Sequence, residues 1–378
     1  MKNNQFLIDK KIFDFKLKSG FDITSKFHQY DLSWGKKGIL KEILFYEKNH
    51  NSFFIIDKKV FELYFKDKIK IKNLFLVDAV EDSKSLIGVS QFMEYLLKNG
   101  VNKGSKVVCI GGGIIQDITS FSCSCYKRGI DWIFIPTTFL AMCDSCIGSK
   151  SGINFGDGKN QLGLFFPPKK IILYEDFLSS LPQDILMSGI GEALKLSITG
   201  GKKSFEDFNN LFFNGNLRDN LPSMIDLSLS VKKLVVEHDE FELNERKSMN
   251  YGHTFAHAIE KITSFAIPHG FAVTLGLILA NRLSNKLNFL SSSEMNKLDE
   301  VSKQVLSLYD LNKISSFNFK DIGRVMLTDK KAVNDTVSFV LVSEVGKTFF
   351  LKQKIDQRFS KVIHTVVNEV ISEILSSN

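Results

Sequence analysis

The chain has 378 residues, of which 44% are hydrophobic and 24% charged, and its formal net charge is +7. These proportions are ordinary for a globular enzyme of two domains, and the spread of lysine and arginine along the chain excludes a clustered basic nucleic-acid module and suits a small anionic substrate. No apolar run approaches the roughly 18 residues of a membrane span and the N-terminus lacks a signal core, so we expect a cytoplasmic protein without membrane partners.

The first half of the chain alternates short apolar runs with polar, amphipathic segments. Residues 85–98 have the period of a helix. Short continuous runs rich in β-branched and aromatic residues predict buried strands at residues 53–57, 73–78, 106–110 and 132–135. Alternation of this kind indicates a parallel sheet covered on both faces.

The pattern changes at about Leu181. Helical periodicity then dominates, with a further strand expected at 338–342 and helices at residues 220–239, 252–262, 270–287 and 292–309. The sequence therefore predicts an α/β fold: a Rossmann-like parallel-sheet nucleotide domain at residues 1–180, and a mainly α-helical C-terminal domain at residues 181–378.

The cysteines are confined to one stretch of the first half. All five lie between Cys109 and Cys146. An odd number in one stretch argues against a disulfide framework, and no pair has a partner pair at zinc-site spacing. We expect reduced cysteines packed as small residues.

Three glycines follow the strand that ends at Ile110. Gly111-Gly112-Gly113 stands between that strand and a helical pattern. Glycines in this position let the backbone approach a pyrophosphate, with donors from the helix N-terminus. The run is not G-x-G-x-x-G, so the triplet alone is a weak signal and favours an ordinary tight turn over a phosphate loop.

Several motifs around this loop come in a fixed order. They are Gly111-Gly112-Gly113-(x)3-Asp117, Tyr126-Lys127-Arg128-Gly129, Pro136-Thr137-Thr138, Asp144-Ser145-(x)4-Lys150 and Gly158-Lys159-Asn160, with Glu81-Asp82-Ser83-Lys84 upstream. Their order and spacing resemble those of the 3-dehydroquinate synthases, a family of sugar-phosphate cyclases, and the resemblance runs from about residue 81 to residue 331. It implies that NAD lies over the glycine loop. The residues that would line it are Glu81, Lys84, Gly112, Gly113, Asp117, Thr137, Thr138, Asp144, Lys150, Lys159 and Ser180.

A histidine pattern marks the second half. His253 and His257 are four residues apart, so they share one helix face, and His269 follows before another helical pattern. Spacing alone leaves two interpretations open: a pair of metal ligands, or polar residues on a solvent-facing helix. A third histidine and an acidic residue would suit catalytic zinc, which keeps one coordination position open.

The resemblance assigns these residues. It implies that Glu192, within Gly191-Glu192-Ala193-Leu194-Lys195, binds the metal with His253 and His269, the metal being zinc, with cobalt as the alternative. Lys195 of the same segment would belong to the catalytic set. The substrate phosphate would be held by Lys150, Asn160, Asn250, His257, either Lys330 or Lys331, and Arg128 from the neighbouring subunit of a homodimer. The substrate carboxylate would be held by Lys232 and Arg246.

The implied reaction converts 3-deoxy-D-arabino-heptulosonate 7-phosphate to 3-dehydroquinate and phosphate. NAD oxidises a hydroxyl whose pKa the metal lowers, phosphate is eliminated, the hydride returns, and an intramolecular aldol step closes the ring. Because the leaving phosphate takes the proton itself, the site needs phosphate-holding groups more than a general base. The enzyme would be a carbon–oxygen lyase.

Four positions depart from the common family pattern: Phe241, Phe271, Gln116 and Ser149. They are compatible with neutral drift in a phenylalanine-rich chain, or with a related cyclase acting on a carboxylate-free sugar phosphate such as a heptulose 7-phosphate. A metal-dependent NAD alcohol or glycerol dehydrogenase is a rival from another reaction class, although the many cations and donors exceed what a neutral polyol needs. A non-catalytic binding protein is the third alternative.

Overall fold

The computed structural model describes residues 4–8, 11–15, 21–48, 51–156, 158–327 and 335–376. The chain divides into two compact units. One consists of residues 18–181, and the other of residues 182–378 together with residues 1–17. An N-terminal antiparallel hairpin, β1 (Asn4–Ile8) and β2 (Lys11–Phe15), belongs to the second unit.

A seven-stranded sheet is the centre of the first unit. Its strands are β3 (Phe21–Ile23), β4 (Tyr30–Trp34), β5 (Ser52–Asp57), β6 (Leu74–Val77), β7 (Lys106–Gly111), β8 (Asp131–Pro136) and β11 (Lys170–Leu173). The spatial order is β3-β4-β11-β8-β7-β5-β6, and every pair is parallel except β3 with β4. The central strands β5, β7 and β8 are buried almost throughout, which explains their continuous apolar sequences.

Five helices accompany this sheet. They are α1 (Ile39–Glu47), α2 (Lys58–Tyr64), α3 (Leu86–Lys98), α4 (Gly113–Cys125) and α5 (Asp176–Ser179). The Ser85 side chain caps α3 by accepting the Gly88 N–H, and Val89, Phe92 and Leu96 form its buried face. A separate hairpin pairs β9 (Lys150–Phe155) with β10 (Gly158–Phe165), and it contacts α4.

The second unit is mainly helical. Its helices are α6 (Gln183–Thr199), α7 (Lys202–Phe213), α8 (Leu217–His238), α9 (His253–Ile262), α10 (His269–Lys286), α11 (Ser292–Leu306), α12 (Asn312–Ser315), α13 (Ile322–Met326) and α14 (Gln357–Ser376). An antiparallel pair, β12 (Thr336–Glu344) and β13 (Lys347–Lys354), completes it. Helix α10 is buried along most of its length and contacts α6, α9, α11, α14 and β12.

The structure confirms the predicted fold class, a parallel-sheet domain followed by a mainly helical one. Among the described residues, no helix is long and apolar enough to cross a membrane. All five cysteines are free thiols, and four are buried, in agreement with the sequence pattern. Nothing in the sequence indicated the β9–β10 hairpin or the grouping of β1 and β2 with the helical unit.

Candidate functional site

The structure brings together one carboxylate and two imidazoles in the second unit. Glu192 lies within α6, while His253 and His269 are the first residues of α9 and α10. Their ligand atoms all lie within 4.8 Å of one another. His253 Nε2 and His269 Nε2 lie 3.4 and 3.0 Å from the same atom, Glu192 Oε1.

The local backbone explains how two helix starts converge on Glu192. Gly252, which precedes α9, has a left-handed φ of 79°, and a Cβ there would lie 2.9 Å from Leu277 on α10. Gly270 follows His269, and its added Cβ would lie 1.9 Å from the Ser188 carbonyl oxygen of α6. Glycines at these two positions therefore let the helices approach closely enough to bring the three ligands together.

The other ring nitrogens have acceptors as partners. His253 Nδ1 lies 3.3 Å from the Tyr251 carbonyl oxygen, and His269 Nδ1 lies 3.0 Å from Glu260 Oε1. Glu192 Oε1 is an acceptor at both Nε2 atoms as well, so each ring lies between two acceptors. A neutral imidazole has one N–H, and when that proton is on Nδ1 the Nε2 lone pair faces the anionic Glu192 oxygen. A cation between the two Nε2 lone pairs and the Glu192 oxygen would accept electron density from all three. The carboxylate–histidine pairing of Glu260 with His269 is typical of the outer partners of zinc ligands.

Charge and burial differ within this triad. The Glu192 side chain is 2% exposed, and Lys195 Nζ lies 2.5 Å from its Oε2. Burial acts to raise the pKa of Glu192, but Lys195 and His253 outweigh burial and hold that pKa well below its ordinary range. The His269 side chain is 33% exposed, which leaves an open side such as a catalytic metal needs. The residues present therefore fit a divalent metal of the zinc or cobalt type.

The pKa values of His253 and His269 are shifted in opposite directions. Burial lowers the pKa of His253 to about 4, so this ring is neutral at pH 7. For His269, burial also favours the neutral ring, but hydrogen bonds to Glu192 and Glu260 raise its pKa to about 10. In the metal-free protein a second proton therefore sits on His269 where a metal would bind.

At any pH below about 9, metal binding should consequently release one proton, because the metal displaces the second ring proton of His269. The dissociation constant for Co²⁺ should fall about tenfold per pH unit between about pH 7 and 9, whereas a histidine of ordinary pKa would give a flat profile there. Calorimetry in buffers of different ionisation enthalpy measures the proton directly. A constant affinity with no proton release would contradict the raised pKa of His269.

The residues predicted to hold the substrate phosphate in this unit are His257 and Asn250. The His257 ring makes an edge contact with His253, with centroids 5.6 Å apart, and His257 is not part of the triad. Asn250 Nδ2 donates to Glu242 Oε1 and, at 3.2 Å, to the Lys247 carbonyl. Lys330 and Lys331 lie outside the described residues.

The two residues predicted to hold a carboxylate, Lys232 and Arg246, are both buried. Lys232 lies in α8, and Arg246 lies in a short 3₁₀ helix, Glu245–Asn250. The Asp239 carboxylate accepts the backbone N–H groups of Leu243, Asn244 and Arg246 at 2.9, 2.7 and 3.0 Å.

Asp239 is a loop organiser that sequence reasoning missed. Although burial acts in the opposite direction, its three backbone donors lower its pKa, so the carboxylate stays ionised. The side chain thereby fixes the loop from which Arg246 projects, and Arg246 Nη1 in turn donates to the Glu240 carbonyl.

A second polar cluster lies in the first unit, among the residues predicted to bind NAD. Lys84 Nζ donates to Asp117 Oδ2 at 3.0 Å and to Asn160 Oδ1 at 2.6 Å. Glu81 lies 3.7 Å from Lys159 and accepts from Asn154 Nδ2 at 2.8 Å. Burial raises the pKa of Asp117, although Lys84 opposes this effect.

The glycine loop lies at the end of β7 in this unit. Gly112 is the N-cap residue of α4, and a Cβ there would lie 2.8 Å from the Thr138 side chain, so any larger residue would force Thr138 to move. Thr137 N donates to the Gly111 carbonyl at 3.0 Å, which joins the loop to the end of β8. A Cβ on Gly113, the first residue of α4, would lie 4.0 Å from Ser145 Oγ, an ordinary van der Waals distance.

The other predicted residues of the first unit lie at several places. Asp144 is in a short π-helical turn, Ala141–Ser145, Lys150 is the exposed first residue of β9, and Ser180 follows α5, where it pairs with Tyr64 at 2.6 Å. Arg128 is exposed in a left-handed turn with φ 61°, and its carbonyl accepts from Lys103 Nζ at 3.0 Å. Their roles, like those of the other residues predicted to bind NAD and the substrate, stay predictions.

The four departures from the family pattern have distinct environments. Gln116 is buried, donates to the Ser145 carbonyl at 2.7 Å and accepts from Ser145 Oγ at 2.6 Å, which ties α4 to the π-helical turn. Ser149 keeps a left-handed φ of 65°. Phe271 is buried against the Tyr309 ring with centroids 4.7 Å apart, whereas Phe241 is 37% exposed.

Glu260 is the other residue that sequence reasoning missed. A periodic signal could have found it, because His253, His257 and Glu260 recur at i, i+4 and i+7 and so share one face of α9. The i, i+4 spacing of His253 and His257 drew attention to the histidines of this face and away from Glu260, which orients His269.

Comparison with known proteins covers most of the chain. Residues 74–188 match the family model described as 3-dehydroquinate synthase N-terminal, and residues 189–332 match the model described as 3-dehydroquinate synthase C-terminal. The 3-dehydroquinate synthase of Campylobacter hominis is 37% identical over 268 residues, which are 71% of this chain and 76% of that protein. The 3-dehydroquinate synthase of Dictyoglomus thermophilum is 35% identical over 348 residues, 90% of this chain and 91% of that protein.

Solved structures share the fold at lower identity. A crystal structure of 2-deoxy-scyllo-inosose synthase complexed with carbaglucose-6-phosphate, NAD⁺ and Co²⁺ superposes with a TM-score of 0.78 at 23% identity, over 94% of this chain and 99% of that one. A probable glycerol dehydrogenase from Sinorhizobium meliloti gives 0.60 at 11% identity, over 90% and 96% of the two chains. The fold is thus common to cyclases and dehydrogenases, and the sequence relatives decide between them. The chain belongs to the 3-dehydroquinate synthase family.

Proposed function

We propose that the protein converts 3-deoxy-D-arabino-heptulosonate 7-phosphate to 3-dehydroquinate and inorganic phosphate, as a phosphate-eliminating lyase. The proposal is supported above all by family membership combined with a triad of Glu192, His253 and His269 that suits a divalent metal. Burial of Lys232 and Arg246 in the same unit supports a substrate that carries a carboxylate.

NAD would accept and return a hydride, and a divalent metal would lower the pKa of the reacting hydroxyl. The residues of the chain would bind the metal and NAD and orient the metal ligands. Glu192 is kept ionised by Lys195, His269 is oriented by Glu260, and His253 by the Tyr251 carbonyl. Glu81, Lys84, Asp117 and the glycine loop form the NAD-binding set of the first unit.

The phosphate leaves as an anion, so the groups that hold it must be cations and hydrogen-bond donors. In this proposal Lys150, Asn160, Asn250 and His257 do so, with Arg128 from a second copy of the chain in a homodimer. The exposed left-handed turn at Arg128, held by Lys103, supports that role because it presents the side chain outward. We infer a cytoplasmic homodimer from these features and the family.

The substrate is tested by incubating the protein with NAD and Co²⁺ and one of three compounds. These are the carboxylated heptulosonate 7-phosphate, a heptulose 7-phosphate without the carboxylate, and glycerol. The proposal expects turnover of the first compound, with 3-dehydroquinate identified by mass and NMR. Preference for the second would make the protein a related cyclase, and oxidation of glycerol a dehydrogenase.

A further inference from the structure

Tyr251 and Gly252 form the corner that precedes α9, and the Tyr251 side chain, which is outside the metal triad, fixes it. Tyr251 is completely buried, its hydroxyl donates to Asn281 Oδ1 on α10, and its carbonyl is the acceptor for His253 Nδ1. One residue thus contacts the metal-ligand ring with its backbone and α10 with its side chain. The intervening Gly252 packs directly against Leu277 and Gly276 of that same helix.

Asn281 is itself held from the other side. Its Nδ2 donates to Asp299 Oδ1 on α11 at 2.9 Å, and Asp299 Oδ2 accepts from Arg282 Nε at 2.5 Å. Arg282 Nη2 also donates to Glu373 of α14 at 2.8 Å. These bonds form a continuous, largely buried network from α14 and α11 to the corner that carries His253.

Helix α10 therefore positions two ligands at once. It begins with His269, and Asn281 lies about three turns further along the same helix. A rigid helix keeps the distance between these two points constant. The Tyr251–Asn281 hydrogen bond ties Tyr251 to this helix. It thereby fixes the position of the Tyr251 carbonyl, which orients the His253 ring.

We propose that Tyr251 and Asn281 are positioning residues of the metal site, which hold His253 in the orientation and tautomer that a metal requires. This inference rests on the metal site of the proposed function. Outer partners of metal ligands contribute about 10- to 100-fold to metal affinity. Because Tyr251 acts through its own backbone, we expect the lower end of that range.

The test compares Tyr251→Phe, which removes the hydroxyl alone, with Ser284→Ala. Ser284 is the matched control because it lies on α10 one turn past Asn281, and its buried Oγ donates to the Val342 carbonyl at 2.6 Å, away from the triad. Titration of the metal-free proteins with Co²⁺ against a competing chelator should show about tenfold weaker binding for Tyr251→Phe and less than about twofold for Ser284→Ala.

Asn281→Leu removes the same bond from its other end. If the bond is what matters, adding Tyr251→Phe to Asn281→Leu should weaken Co²⁺ binding no further, whereas additive losses would contradict the proposal. Should one single variant fail to fold, the other is compared alone with Ser284→Ala. Equal losses in Tyr251→Phe and Ser284→Ala, with tight binding by the unaltered protein, would overturn the positioning role. Failure of the unaltered protein to bind Co²⁺ would instead overturn the metal site itself.

Discussion

Replacing His269 with alanine should strip the metal and abolish turnover while the fold persists. His269 supplies one of three ligands, and a site left with Glu192 and His253 should lose more than the roughly 100-fold in affinity that outer partners can cost. The side chain is 33% exposed and begins a helix, so its loss leaves no buried cavity.

His269 is a better test position than Glu192. Lys195 lies 2.5 Å from Glu192 with 4% of its side chain exposed, so truncating Glu192 would remove the carboxylate that neutralises a buried cation. Breaking a buried pair in this way typically costs about 3–5 kcal/mol and endangers folding. His269→Ala avoids this ambiguity.

The measurement is metal content by elemental analysis, together with turnover and circular dichroism. His364→Ala on α14 is the matched control, because His364 is a partly exposed histidine whose ring contacts Asn368, one turn along its own helix. It should keep metal and activity. A His269→Ala protein with stoichiometric metal and full activity would show that the triad is not the metal site.

Arg246→Ala should lower activity on the carboxylated substrate by at least about 30-fold. Loss of a buried, charge-assisted contact to a carboxylate costs on the order of 2–5 kcal/mol, which corresponds to roughly 30-fold to several thousand-fold. Arg246 is 3% exposed and its backbone is fixed by Asp239, so the guanidinium is presented from an ordered loop. Arginine suits this role because its planar group can donate two parallel hydrogen bonds.

Lys247→Ala is the matched control for Arg246→Ala, since Lys247 is the next residue, carries the same charge and is exposed. It should change activity little. Arg246→Lys keeps the charge but not the planar fork, so it should fall between the two. NAD and metal affinity must be unchanged in all three variants. An unaltered enzyme that prefers a carboxylate-free sugar phosphate, and is insensitive to Arg246→Ala, would make the protein a cyclase with a different substrate.

The sequence predicted the central strands and the long helices well because each has a strong local pattern. Strands β5, β7 and β8 are buried on both faces and therefore read as unbroken apolar runs. The predicted helix at residues 85–98 corresponds to α3 with its Ser85 cap. The β9–β10 hairpin was missed because it is polar, glycine-containing and irregular in register, so it lacks strict alternation.

Contacts between distant segments were beyond the sequence. Glu260 orients His269 through a bond that joins α9 to the start of α10, and Tyr251 reaches Asn281 across 30 positions of sequence. Gln116 departs from the family pattern, and only the structure shows that its side chain forms two hydrogen bonds with Ser145. The family resemblance assigned the metal ligands, whereas the partners that orient them depend on tertiary packing.

The central claim, a cyclase that uses NAD without consuming it, is tested most directly by following phosphate and NADH together in one reaction. With 3-deoxy-D-arabino-heptulosonate 7-phosphate in large excess over NAD, inorganic phosphate should accumulate over many turnovers while the NADH absorbance stays flat. NADH that accumulates in step with product, without release of phosphate, would contradict the claim and show a dehydrogenase.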